Sequence, residues 1–291
     1  MASTSLWDAL DVERPVQVVG VVNAYTAMLA DRAGFRALYL SGSGVATASF
    51  GLPDLGFTTL TEVAEDTRRV TSATDLPLLV DADTGWGPPA MVERAVRELE
   101  KAGATGVQLE DQVLEKRCGH RPNKRLAAPE VMEARVTAAA AARSVPSFAV
   151  VVRTDALAVG GLDQALERIK RYVAAGADVI FLEAAGSLDE YAEAAKVAGV
   201  PILANLTEFG VTPLFTLDEL RDAGVSFALY PLSAFRAMSA AAARTFEAIR
   251  RDGTQADVVG DMQTRADMYD VIDYETYERR MDDVPLGLDE A

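Results

Sequence analysis

The stretch LDQALERIKRYVAAGADVIFL, Leu162–Leu182, holds the repeating unit of this chain. Leu162, Ala165, Leu166, Ile169, Tyr172 and Val173 follow the helical three-and-four spacing, with Gln164, Glu167, Arg168, Lys170 and Arg171 between them. That pattern predicts a surface helix with one apolar stripe. Ala175-Gly176 then ends it, glycine supplying the left-handed conformation that turns the chain away. Val179–Leu182 follows as an unbroken apolar run, the signature of a strand covered on both faces.

The same unit recurs on either side. Further apolar runs lie at Val16–Ala24, Ala37–Leu40, Leu76–Val80, Gly106–Leu109, Phe148–Val152, Pro201–Ala204 and Phe227–Leu232, making eight. Ala33-Gly34, Ala102-Gly103, Ala198-Gly199 and Ala223-Gly224 stand before four of them as helix stops. Eight strand–helix units predict an α/β protein whose parallel sheet closes into a (β/α)8 TIM barrel. The rival, an open doubly wound sheet, lacks a Gly-x-Gly-x-x-Gly at its first helix. Beyond the eighth run come an Ala-rich helix, Ser233–Asp252, and a helical extension over 253–281. Met262, Met268, Tyr269, Val271, Ile272, Tyr274 and Tyr277 give that extension apolar surface, so these C-terminal helices are expected to pack on, and be exchanged with, a neighbouring subunit. The expectation is one barrel domain over 1–291, with the acidic stretch 282–291 a disordered tail.

Composition narrows the function. With 28 Lys and Arg against 44 Asp and Glu, the net charge of −16 repels nucleic acid and anionic membrane surfaces. A single cysteine, Cys118, permits no intrachain disulfide. Met1–Glu13 lacks the basic start and apolar run of a signal peptide, and no apolar stretch approaches the ~20 residues of a membrane span. A soluble cytoplasmic protein is expected.

In a barrel of this kind the site lies at the C-terminal ends of the strands. Ser41-Gly42-Ser43-Gly44 after the second run offers backbone N–H groups to a carboxylate or phosphate. Asp81-Ala82-Asp83 ends the third and Glu110-Asp111 the fourth, and acids gathered there call for a cation. Hard oxygen ligands suit Mg2+, with Mn2+ as its substitute. Lys116-Arg117-Cys118-Gly119-His120-Arg121 carries the chain's only cysteine and only histidine among cations expected to lower the thiol pKa. Arg153, Glu183, Asn205, Thr207 and Arg236 follow later runs, and Arg265 lies in the C-terminal extension. Several arginine forks at one mouth point to a substrate with more than one carboxylate.

These residues resemble a known family. Lys116–His120 is similar to the KRCGH signature of the isocitrate lyase branch of the superfamily that contains phosphoenolpyruvate mutase. Asn23–Thr26, Gly51–Asp54, Leu203–Gly210, Tyr230–Arg236 and Met262–Arg265 resemble the 2-methylisocitrate lyases within it, and the likeness runs from about Val18 to Tyr277. The resemblance implies a homotetramer and a magnesium-dependent cleavage of a tricarboxylate, (2S,3R)-2-methylisocitrate, to pyruvate and succinate in propionate breakdown by the methylcitrate route. Asp81 and Asp83 match the metal-site aspartates, with Asp54 and Glu110 supporting them. Ser41, Gly42 and Ser43 match the carboxylate loop; Cys118 matches the catalytic acid, with Gly119 and His120 beside it, and Tyr39 or the acids are candidates to take the hydroxyl proton. Arg153, Glu183, Asn205, Thr207, Arg236 and Arg265 match substrate contacts. Phe181 and Leu229 leave room for the extra methyl, and the chain lacks the insertion of the longer isocitrate lyases. Ser43 and Trp86 depart from the usual glycine and phenylalanine, which reshapes the pocket without removing a ligand. The alternatives are isocitrate as substrate, an oxaloacetate decarboxylase or phosphonopyruvate-type enzyme, which lack the cysteine signature, and a non-catalytic metabolite-binding scaffold.

Overall fold

A computed structural model of the chain describes residues 5–283. Eight parallel strands, β1 Val16–Gly20, β2 Ala37–Leu40, β3 Leu78–Asp81, β4 Gly106–Glu110, β5 Ala149–Thr154, β6 Val179–Leu182, β7 Ile202–Asn205 and β8 Phe227–Tyr230, form a closed barrel in sequence order. Closure is made where Val16 of β1 pairs with Phe227 of β8 while Val18 pairs with Ala37 of β2. The predicted (β/α)8 architecture is therefore the observed one. All five Ala-Gly pairs end helices, with glycine φ from 65° to 112°. The first run was expected to reach Ala24, but the strand stops at Gly20. Asn23 is instead the N-cap of helix Ala24–Arg32, its side chain accepting from Thr26 N–H at 2.9 Å, so local capping overrides the apolar run.

Alternation along each strand divides the core into two layers. Leu38, Leu40, Val80, Leu109, Val152 and Ile180 face outward, packed against the helices. Ala37, Tyr39, Leu79, Val151, Phe181 and Leu229 face into the barrel. Helix Leu6–Val12 adds Leu6, Ala9 and Leu10 to this inner layer, and each buried leucine contributes about 1.5–3 kcal/mol. No helix among the described residues is long and apolar enough to cross a membrane.

The described residues divide into two compact units, one up to Arg236 and one from Ala237. Helix Ser233–Asp252 forms with the bounds read from the sequence. The second unit also holds a 3₁₀ turn, Ala256–Asp261, and helices Arg265–Val271 and Tyr274–Asp282. Within it Tyr269 and Tyr274 stack with ring centroids 4.2 Å apart, while Phe246, Tyr277 and Met281 are exposed. The expected tail lies, from residue 284 on, outside the described residues.

Candidate active site

Inward-facing Tyr39, Phe181 and Leu229 sit near the C-terminal ends of β2, β6 and β8. They line a cavity of about 90 Å3 whose walls also include Ser41, Ser43, Asp54, Asp81, Cys118 and Arg153. Gly119, His120, Glu183, Asn205, Thr207 and Arg236 complete the predicted residues found there. Larger hollows of about 690 and 800 Å3 flank the loop carrying Cys118, but neither is lined by Tyr39, Asp81 or Arg153. The small cavity is where the chemistry converges. Gly42, Asp83 and Glu110 stand behind its wall rather than in it, and Arg265 opens an exposed helix of the second unit.

Three contacts draw the acids together. Asp83, at φ +47°, donates its N–H to Asp81 Oδ1 at 3.1 Å, and Gly42 N–H donates to Asp81 Oδ2 at 3.0 Å. A Cβ on Gly42 would stand 3.1 Å from Asp83 Oδ1 and 3.2 Å from Asp81 Oδ2, so glycine lets the β2 loop close over both carboxylates. The cation among them is Lys116, a residue the sequence reading passed over except as a neighbour of the thiol. Its buried Nζ lies 2.5 Å from Asp83 Oδ1 and also contacts Asp54. Burial still pushes the Asp83 carboxyl up to about 6, Lys116 opposing the rise. Burial likewise holds Glu110 well above the usual carboxylate range, against the pull of Arg153, and Glu110 Oε1 has no hydrogen-bond partner.

Among the described residues no three acidic, histidine or cysteine side chains converge closely enough to cage a metal alone. Mg2+ needs no such cage: it keeps several waters and takes one or two carboxylates. The all-oxygen set of Asp81 and Asp83, with Asp54 beside them and the unpartnered Glu110 Oε1 close by, fits that ion.

Cys118 is half-buried in the loop after β4, just before the turn at Gly119, and its thiol departs from expectation. Burial raises its pKa, a hydrogen bond from the His120 backbone only partly offsetting the rise. The flanking cations do not reverse this because they are engaged with acids or screened by solvent. Lys116 serves the acids, and Arg117 and Arg121 are exposed to solvent. The thiol is therefore held as an acid. Gly119 has no room for a side chain: its Cβ would stand 1.8 Å from Glu183 Oε1. His120 Nδ1 accepts from Val211 N–H at 3.0 Å, which assigns the ring proton to Nε2, 3.5 Å from Glu183 Oε1. Burial lowers the His120 pKa, so the ring is neutral and ties the loop after β4 to the loop after β7.

Arg153 is the buried arginine of the mouth, and its fork is already engaged. Nε and Nη2 each donate to Asp155 at 3.0 Å, Glu183 and Glu110 lie 3.4 and 3.5 Å away, and the guanidinium sits over the Phe181 ring. Asn205 Nδ2 donates to Glu183 Oε2 at 3.1 Å, and the buried Asn205 Oδ1 has no hydrogen-bond partner. Arg236 is 43% exposed and pairs with Glu208 at 3.4 Å across the face of Phe209. Tyr39 donates to Gln108 Oε1 at 2.7 Å, and burial with nearby Asp81 raises its phenol well above the ordinary range. That suits Tyr39 to donating a hydrogen bond rather than taking a proton.

Comparison with known proteins places this geometry. The family model described as phosphoenolpyruvate phosphomutase matches residues 8–250. A curated 2-methylisocitrate lyase from Escherichia coli K12 is 54% identical over 277 residues, 95% of this chain and 94% of the relative. The crystal structure of a 2,3-dimethylmalate lyase superposes with a TM-score of 0.88 at 31% identity, covering 97% of this chain and 96% of that one. A phosphonopyruvate hydrolase solved with oxalate and Mg2+ superposes with a TM-score of 0.83 at 29% identity over 96% of this chain and 97% of its own.

Proposed function

Because the chain belongs to the 2-methylisocitrate lyases of the phosphoenolpyruvate mutase family, we propose that it cleaves (2S,3R)-2-methylisocitrate to pyruvate and succinate. One observation carries the reading: Cys118 lines the same small cavity as Asp81, Arg153 and Asn205. A proton donor, an oxygen-rich cation site and carboxylate-binding side chains thus face one cavity.

The residues divide the work. Ser41, Ser43, Arg153 and Thr207 bind and orient the carboxylates with Arg236 at the rim, and Asn205 Oδ1 accepts from the substrate hydroxyl. Asp81 and Asp83 would hold Mg2+, directly or through water, with Asp54 and Glu110 supporting them; Mn2+ accepts the same ligands. When bound, the ion would make the substrate hydroxyl more acidic and offset charge on the departing oxo acid. A carboxylate of the acidic cluster takes the hydroxyl proton as the carbon–carbon bond breaks, leaving pyruvate and a carbanion on the succinate half that is delocalised into its carboxylate. The Cys118 thiol, held protonated by burial, then transfers its proton to that carbon, and the thiolate serves as base in the reverse direction. Phe181 and Leu229 set the floor beside the extra methyl.

Released succinate and pyruvate, followed with 2-methylisocitrate and with isocitrate, with and without a chelator, test this. We expect cleavage to need the divalent cation and to favour 2-methylisocitrate by about 10–200-fold, the worth of one methyl in a pocket. Equal rates in chelator, or no cleavage of either compound, would overturn it. We further propose that the protein works in the cytoplasm of a cell breaking down propionate. Its exposed C-terminal residues Phe246, Tyr277 and Met281 would be covered by exchange with a neighbouring subunit. Sedimentation of the full chain is expected to give a homotetramer; a monomer at micromolar concentration refutes the exchange.

A further inference from the structure

Asp155 follows β5 with no solvent exposure and divides its carboxylate among three side chains. Oδ2 accepts from Arg153 Nε at 3.0 Å and Gln112 Nε2 at 3.3 Å; Oδ1 accepts from Arg153 Nη2 at 3.0 Å and Lys124 Nζ at 2.9 Å. Two of these partners also grip the backbone around Cys118. Gln112 Nε2 donates to the Arg117 carbonyl at 2.8 Å while Arg117 N–H donates back to Gln112 Oε1 at 3.0 Å. Lys124 Nζ donates to the Gly119 carbonyl. The residues immediately before and after the thiol are thus pinned by side chains that one carboxylate holds. Asp155 is itself fastened from behind, its N–H donating to Asp111 Oδ1 at 2.9 Å.

Neither Gln112, Lys124 nor Asp155 lines the small cavity. Lys124 and Asp155 are nevertheless both buried, and a buried ion pair is a weak source of stability beside apolar residues of the same volume. What the pair provides is a fixed separation. We propose that Asp155 is a positioning residue, setting the Cys118 loop and the Arg153 fork relative to each other across the cavity, with Lys124 and Gln112 as its two arms. The inference rests on the reading of Cys118 as proton donor. It adds that the donor's geometry is set from outside the cavity, by a carboxylate that touches no substrate.

The test uses the full chain as wild type, Lys124→Met, Asp155→Asn and the double variant. It measures kcat and KM for 2-methylisocitrate and the iodoacetamide alkylation rate of Cys118, the chain's single cysteine. Lys124→Met is expected to lower kcat about tenfold or more with KM nearly constant, since a misplacement near 1 Å costs up to ~100-fold. Its Cys118 should be alkylated several times faster than in wild type. Asp155→Asn should lower kcat and also raise KM, because Arg153 loosens with the loop. The double variant should be no worse than Asp155→Asn, as both changes act on one node. Where Lys124→Met fails to fold, Gln112→Met removes the other arm without altering charge and carries the same expectation. Unchanged alkylation in the variants, or kcat losses that multiply in the double, would refute the proposal. A wild type that cleaves no 2-methylisocitrate would defeat the functional reading alone, leaving the alkylation comparison to decide this one.

Discussion

Cys118→Ala is expected to lower kcat for 2-methylisocitrate by about 10²–10⁴-fold, the usual contribution of a positioned general acid. The substrate's KM should stay nearly constant, because the substrate-binding side chains Arg153 and Asn205 and the aspartate pair remain intact. The size of the effect follows from the site's inventory. Tyr39 has its proton committed to Gln108, His120 is neutral with Nδ1 occupied, and Lys116 is locked between Asp54 and Asp83. None of these is free to take the thiol's place. Steady-state kinetics, with circular dichroism to establish folding, measures it; a variant retaining more than about a tenth of the wild-type kcat would mean that another group protonates the carbanion.

The second large effect is on stability. Asp111 has no solvent exposure and accepts four hydrogen bonds, from Thr154 Oγ1 at 2.7 Å, Asp155 N–H at 2.9 Å, Arg168 Nη1 at 3.1 Å and Tyr172 OH at 2.9 Å. Burial still raises its pKa despite Arg168, so the ion pair does not fully offset desolvation. Removing the carboxylate is a different matter, because Arg168 would remain buried with no counter-charge. Asp111→Ala is expected to cost about 3–5 kcal/mol in urea denaturation, against less than about 1 kcal/mol for the exposed pair partner Glu93→Ala. A loss below about 1 kcal/mol at Asp111 would show that solvent reaches Arg168 and that the network is looser than its distances indicate.

The strands were legible because burial on both faces leaves nothing but apolar residues to read. Val179–Leu182 and Ala37–Leu40 came out with their observed bounds for that reason. Run one was overread because Val21 and Ala24 are apolar too, and only the Asn23 cap, a side-chain hydrogen bond, ends the extended backbone. The site was legible to the extent that strand ends converge by topology: Ser41, Asp81, Arg153 and Asn205 all reach one cavity. What composition could not show is which charge answers which. Lys116 meets Asp54 across 62 positions and Lys124 meets Asp155 across 31, and no local periodicity encodes such pairings. The direction of the Cys118 shift was misjudged because burial, which no local pattern encodes, outweighs flanking cations that pair with acids or lie in solvent.

Lys116 has a consequence for how the molecule is made. With its ammonium seated among the carboxylates, the chain itself supplies a charge that relieves their mutual repulsion. Charge balance at this corner is built into the polypeptide, so Lys116→Met would leave Asp54 and the buried Asp83 side by side without a counter-charge.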